Sequence, residues 1–182
     1  MKIFTLTKIV AVSLLLISAF LLPAGAESKG SEILAEIDGQ KITRADFTAY
    51  LSLFKDQGKY QPTTTAAREK LLNNLIDRTL LLEEARKQGY FNAPELKKHG
   101  SLNSTEHETI VLRKFLTDRI SRPATIDDKT VSTYLETQTN LTFKQAQEKL
   151  TSERQLQLFQ ELMQNLKKER KIIIHQENLK NI

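Results

Sequence analysis

The chain has three histidines, the side chains that most often act as metal ligands and as proton carriers near neutral pH. His99 and His107 lie eight residues apart, with Glu106 and Glu108 beside the second, so a metal site on one helix face is conceivable. Eight residues exceed two helical turns, however, and Gly100 is expected to break the helix between them. We therefore expect solvated surface histidines rather than metal ligands.

Carboxylates occur in the adjacent pairs Asp127-Asp128 and Glu83-Glu84. A general acid–base pair needs carboxylates that converge in one cleft, whereas adjacent acids are typical of helix starts and solvated helix faces. The sequence has no HExxH motif, no GxSxG motif, no phosphate-binding Gly-rich loop and no cysteine. We predict no catalytic residue, no metal and no cofactor, and hence a protein that is not an enzyme.

Aromatic side chains offer a different chemistry, the binding of apolar peptide segments. Core packing is the commoner role for any one of them. The candidates for a peptide-binding surface are Phe47, Tyr50, Phe54, Phe115 and Tyr134.

Helices must position these residues. Apolar residues at i, i+3, i+4 and i+7 predict a first amphipathic helix, capped by Thr43 and ending near Gly58. A second helix over residues 66–88 is apolar on more than one face, so we expect it to be central and to end at Gly89.

The second half of the chain predicts three more helices. The first is stopped by Pro123, a short one is capped by Thr125 with Asp128, and a long charged one begins at Thr142. With a further short segment, the fold class is mainly α, with about five to six helices.

Two β-branched segments lie at opposite ends of the mature chain. Ile33–Ile37 alternates weakly and is followed by the turn dipeptide Asp38-Gly39, while residues 171–176 read KIIIHQ. Because one strand needs a partner, we predict that the two pair in a small two-stranded sheet. This sheet would join the N- and C-terminal ends of the chain.

The first 26 residues have the pattern of a secretory signal peptide. Lys2 and Lys8 precede the uncharged apolar run Ile9–Leu22, and Ala24-Gly25-Ala26 predicts cleavage after Ala26. The alternative is an uncleaved membrane anchor, although the run is shorter than the roughly 20 residues of a spanning helix. After cleavage we expect no membrane span and a periplasmic or secreted protein.

The charge of the chain argues against nucleic acid as a partner. The net charge is +5, or +3 without the two lysines of the leader, and no long basic run alternates with aromatics.

The order of these segments resembles the SurA-type chaperones, exported foldases that include the PrsA-like parvulin proteins. The resemblance rests on "IDG" at residues 37–39, on "ITRADF" at residues 42–47, and above all on "LLNNLIDRTLLLEEARKQG" at residues 71–89. The segment "ATIDDKTVSTYLETQ" and the closing helix and strand at residues 142–176 are similar to later parts of the family.

The resemblance implies one helical chaperone domain over residues 27–182, with an N-terminal part at 31–138 and a C-terminal part at 142–176. In the full family a parvulin prolyl-isomerase domain lies between these parts, whereas here Gln138 and Leu141 are nearly adjacent. The isomerase domain is therefore expected to be absent.

The resemblance and the expected absence of the isomerase domain lead to three functional hypotheses. The leading hypothesis is an exported holding chaperone that binds unfolded or newly secreted polypeptides without isomerase activity. The alternatives are a prolyl isomerase-related protein and a structural adaptor with one dedicated partner.

Overall fold

The computed structural model describes residues 30–54, 62–94, 104–138 and 140–180. The predicted signal peptide, the predicted helix end at Gly58 and His99 lie outside the described residues. In chain order the elements are β1 (Ile33–Ile37), β2 (Gln40–Thr43), α1 (Arg44–Ser52), α2 (Thr65–Lys87), α3 (Ser104–Leu116), α4 (Asp128–Thr137), α5 (Phe143–Lys168), β3 (Ile172–Ile174) and α6 (Gln176–Leu179). The mainly α fold class is confirmed.

β1 is the central strand of an antiparallel sheet whose order is β2-β1-β3. The pairing of β1 with β3, with Glu36 opposite Ile173, confirms the predicted pairing of the two β-branched segments. The sheet has three strands instead of the predicted two, because Gln40–Thr43 folds back onto β1 before the first helix begins.

The Asp38-Gly39 turn makes this reversal possible. Asp38 has φ +50° and Gly39 has φ +87°, the left-handed pair that a two-residue hairpin turn requires. Thr43 then ends β2 and caps α1, since its hydroxyl accepts from the Asp46 amide while the Asp46 carboxylate accepts from the Thr43 amide at 2.8 Å. The predicted capping box is present.

α2 is the central helix, as its sequence predicts. Its N-cap Thr64 accepts from the Ala67 amide, and Gly89 follows its end with φ +81°. Its seven buried residues are the largest contribution of any one element to the core, which also takes side chains from β1, β2, α1, α3, α5 and α6. They are Leu71, Leu72, Leu75, Ile76, Leu80, Leu81 and Ala85.

The second half of the chain differs from the prediction in two details. A five-residue π-turn, Thr117–Ser121, extends α3. The N-cap of α4 is Asp127 rather than Thr125: the Asp127 carboxylate accepts from the Thr130 amide at 2.9 Å. A carboxylate accepts a hydrogen bond and also complements the helix dipole, so Asp127 is the stronger cap.

α6 closes the structure behind β3. The Leu179 side chain is fully buried in the core, and the side-chain amide of Asn178 donates to the Ile33 carbonyl at 2.8 Å. The last described residues of the chain thus form part of the core around β1 and α2.

Candidate functional site

Two of the five predicted binding residues are core residues. Phe47 and Phe115 are 0% exposed. The Phe115 ring packs edge-on against Tyr90, with ring centroids 5.3 Å apart. In this structure neither ring presents a surface to a ligand, and both act by packing.

Tyr50 and Phe54 lie together at the end of α1, both half-buried. Their rings pack edge-on, with centroids 5.2 Å apart and planes at 85°. Phe54 lies two residues beyond the last residue of α1, where its N–H donates to the Leu51 carbonyl at 3.1 Å. The structure therefore brings these two predicted residues into one aromatic pair.

Tyr50 also lines a groove of about 520 Å³ between β2, α1, α2 and the start of α3. Residues of α2 reach the groove from successive turns of one face, because their spacing follows the helical period. The apolar lining consists of Ile42, Ala49, Tyr50, Leu53, Leu75 and Leu82.

Charged side chains of both signs surround this apolar lining. Arg78 of α2 pairs with Glu108 of α3 at 3.1 Å, and this pair spans the groove wall. Arg86 lies with its guanidinium carbon 4.5 Å from the centre of the Phe91 ring. Lys41 lines the groove from β2. An apolar floor with charges around it suits a segment of mixed composition.

Burial in the groove raises the pKa of the Tyr50 phenol, and the negative charge of Asp77 acts in the same direction while Arg78 opposes it. The phenol is therefore neutral at physiological pH. It can donate one hydrogen bond and accept others from a bound chain.

Two of the carboxylates that line the groove are paired with arginines. Glu83, which lines it, accepts from Arg170 at 2.9 Å. Glu108 is held by Arg78.

Tyr134 lies on α4 and does not line the groove. The Lys149 ammonium donates to its hydroxyl at 2.7 Å and lies 5.4 Å from the ring centre. This hydrogen bond raises the pKa of Lys149. The exposed tip of Tyr134 is therefore occupied by a contact with the neighbouring helix.

The two described histidines have separate environments. The His107 ring packs against Phe91 with centroids 5.6 Å apart. His175 lies 3.3 Å from a Glu36 oxygen and 3.5 Å from a Glu177 oxygen. Across residues 30–54, 62–94, 104–138 and 140–180, no three acidic or histidine side chains are grouped to hold a metal ion.

The groove residues Ile42, Arg78 and Leu82 were not among the predicted binding residues. Ile42 belongs to β2, a strand that was not predicted. Arg78 and Leu82 belong to α2, whose apolar faces were all expected to pack in the core. The one sequence signal for these groove residues is that α2 is apolar on more faces than packing against a single neighbouring element requires.

Among the described residues, no helix has the length and hydropathy needed to cross a membrane.

The comparisons with known proteins give one match. The family model described as "SurA-like N-terminal domain" matches residues 2–97, slightly more than half of the chain. Neither the curated proteins nor the solved structures contain a match.

Proposed function

The chain belongs to the SurA-like N-terminal domain family. We propose that it is an exported holding chaperone. The domain of this family is of the chaperone type rather than catalytic. In this proposal the protein binds unfolded or newly secreted polypeptides and releases them unchanged. Binding alone is sufficient, because a bound segment is removed from the aggregation pathway.

The observation that carries the proposal is the groove beside the Tyr50–Phe54 pair. Its volume of about 520 Å³ falls within the range of ligand clefts, and its lining combines six apolar or aromatic side chains with ten polar or charged ones. Aromatic side chains bury a large area with few rotatable bonds, which suits contacts with many different clients. We assign the client contacts to Tyr50 and Phe54 among the predicted residues.

Export to the periplasm is part of the same proposal. It is supported by the leader at residues 1–26 and by the typically periplasmic location of the family. The expected cleavage after Ala26 leaves a mature chain that begins at Glu27, three residues before the first described residue, Gly30.

The proposal includes a lack of isomerase activity. α4 ends at Thr137 and α5 begins at Phe143, so only a short connection stands where the full family carries its parvulin domain. We expect the cis/trans exchange of a proline peptide to proceed at its uncatalysed rate, over tens of seconds or longer. Acceleration of this exchange would favour the isomerase alternative.

The test of holding activity is the suppression of aggregation of an outer-membrane protein diluted from urea, at a stoichiometric ratio. Tyr50→Ala should weaken client affinity by more than about five-fold, as for a central aromatic contact. Tyr134→Ala removes the same side chain away from the groove and should bind as the wild type does. Circular dichroism must show both variants to be folded.

Two results would contradict the proposal. One is aggregation that proceeds unchanged beside the wild-type protein. The other is crosslinking in the periplasm that captures one dedicated partner, together with a lack of binding to generic unfolded chains. That result would favour the adaptor function.

A further inference from the structure

β3 forms one edge of the sheet, because the strand order is β2-β1-β3. Within the part of the chain that the structure describes, β1 is the one strand paired with β3. An edge strand keeps a row of backbone N–H and C=O groups that its own sheet does not use. Such a row is a template for a further strand.

The hydrogen bonds at the two ends of β3 show which of its backbone groups face β1. The Asp38 N–H donates to the Lys171 carbonyl at 2.9 Å. At the other end, the His175 N–H donates to the Leu34 carbonyl at 2.9 Å. Lys171 and His175, the odd-numbered residues on either side of β3, therefore direct these backbone groups toward β1.

The register continues this alternation through the strand. Ile173 lies opposite Glu36, midway between the two end pairs. In an antiparallel ladder, hydrogen-bonded residues alternate with residues whose backbone groups point the other way. The N–H and C=O groups of Ile172 and Ile174 therefore point away from β1, and together they offer two donors and two acceptors.

The opposite edge of the sheet, formed by β2, offers fewer unpaired backbone groups. In β2, Gln40 pairs with Ile37 next to the turn, so its backbone groups face β1. The Thr43 N–H is taken by the Asp46 carboxylate at 2.8 Å. Only Lys41 remains with backbone groups that point outward.

We propose that β3 binds client polypeptides by strand addition, with an extended non-native segment pairing to the backbone of Ile172 and Ile174. The inference rests on the proposed function and names the way in which the client is held. Backbone hydrogen bonds do not depend on client sequence, which a chaperone of many clients requires. Ile173, 38% exposed on the outer face, adds an apolar contact for the client side chain opposite it.

The size of the edge favours a client segment over a second copy of this chain. β3 has three residues. Pairing of two such strands buries far less than the roughly 1,000 Å² of a stable protein–protein interface. A short edge instead gives weak, reversible attachment, which suits a chaperone that must release its client.

The first experiment measures amide hydrogen exchange by NMR in the wild-type protein, with reduced and carboxymethylated lactalbumin as the unfolded probe. On addition of the probe, exchange of the Ile172 and Ile174 amides should slow by at least about five-fold, the effect of one new hydrogen bond. The Ile173 amide, already bonded to β1, should change little.

The second experiment compares two substitutions at one position. Ile174→Pro removes an N–H that faces away from the ladder, a place where edge strands tolerate proline. Ile174→Val trims the side chain but keeps the N–H. The proline variant should bind the probe about five-fold more weakly, whereas the valine variant should bind as the wild type does.

The outcomes separate this inference from the proposed function. If the wild type binds the probe while the Ile172 and Ile174 amides stay unprotected, strand addition is wrong and the holding function stands. If the wild type does not bind the probe, both fail. If the two amides are protected without the probe and the protection grows with protein concentration, a second copy occupies the edge and the inference is overturned.

Discussion

The Arg170 guanidinium, beyond the end of α5, donates to the Asp38 carboxylate in the β1–β2 turn at 2.8 Å. A second donor of Arg170 reaches Glu83 of α2 at 2.9 Å. The other oxygen of Asp38 accepts from the Lys171 amide at 2.8 Å. Asp38 thus connects the N-terminal hairpin directly to the start of the closing strand and, through Arg170, to the central helix. Its role therefore goes beyond forming the turn.

The Asp38 connection predicts a dependence of stability on pH. The hydrogen bond from Arg170, followed by that from the Lys171 amide, holds the pKa of Asp38 below its ordinary value of 3.8. A lowered folded-state pKa gives stability that is present above the unfolded-state pKa and is lost as pH falls through the folded-state value. We expect the wild type to lose this contribution below about pH 4.

Asp38→Asn tests this prediction, because asparagine also tolerates positive φ and its carbonyl oxygen can still accept from Lys171. Urea unfolding should show the variant less stable than the wild type at pH 7, with the two free energies of unfolding converging at low pH. Glu148→Gln, an exposed carboxylate on α5, serves as the control. A constant difference between Asp38→Asn and wild type at all pH values would contradict the ionic role of Asp38.

Deletion of residues 172–182 should destabilise the whole fold. It removes β3, α6 and the buried Leu179, and it leaves β1 without one neighbour. The loss should appear as one lower melting transition monitored by circular dichroism, together with changed NMR shifts in α2. A truncated protein that melts like the full chain would show that the joining of the two ends contributes nothing.

Local sequence signals predicted much of this fold. Thr43, Thr142 and Gly89 mark helix boundaries by chemistry that acts over a few residues, and the structure shows all three. The pairing of β1 with β3 was predictable because no other segment of the sequence was recognised as a strand that could pair with either of them. These features depend on short-range rules or on simple exclusion.

The groove could not be predicted in the same way. It exists because β2, α1, α2 and α3 meet, and β2 is a strand of only four residues that lies directly before the capped start of α1. Phe47 and Tyr50 are neighbours on one amphipathic helix, yet one is 0% exposed and the other is half-buried in the groove. Periodicity places both on an inward face, and only tertiary packing decides which of them keeps an open side.

Gly39→Ala should destabilise the hairpin through its backbone alone. Gly39 has φ +87°, and an added Cβ would meet no atom within 4 Å, so no steric clash with a neighbour contributes. The left-handed conformation should cost alanine about 1 kcal/mol of unfolding free energy. Gly39→Asn, which tolerates this conformation better, should cost less. Equal losses in urea unfolding for the two variants would show that backbone conformation is not the cause.

The burial of Leu179 gives the sharpest test of how α6 holds the structure together. Leu179 is fully buried on a helix of four residues, whereas Leu156 on α5 is 58% exposed. Leu179→Ala should reduce the free energy of unfolding by about 2–4 kcal/mol, because it removes buried methyl groups and leaves a cavity. Leu156→Ala makes the same chemical change at the surface and should cost less than about 0.5 kcal/mol. Denaturant unfolding of the two variants side by side measures the difference. If both cost the same small amount, α6 is detached in solution and the core closes without it.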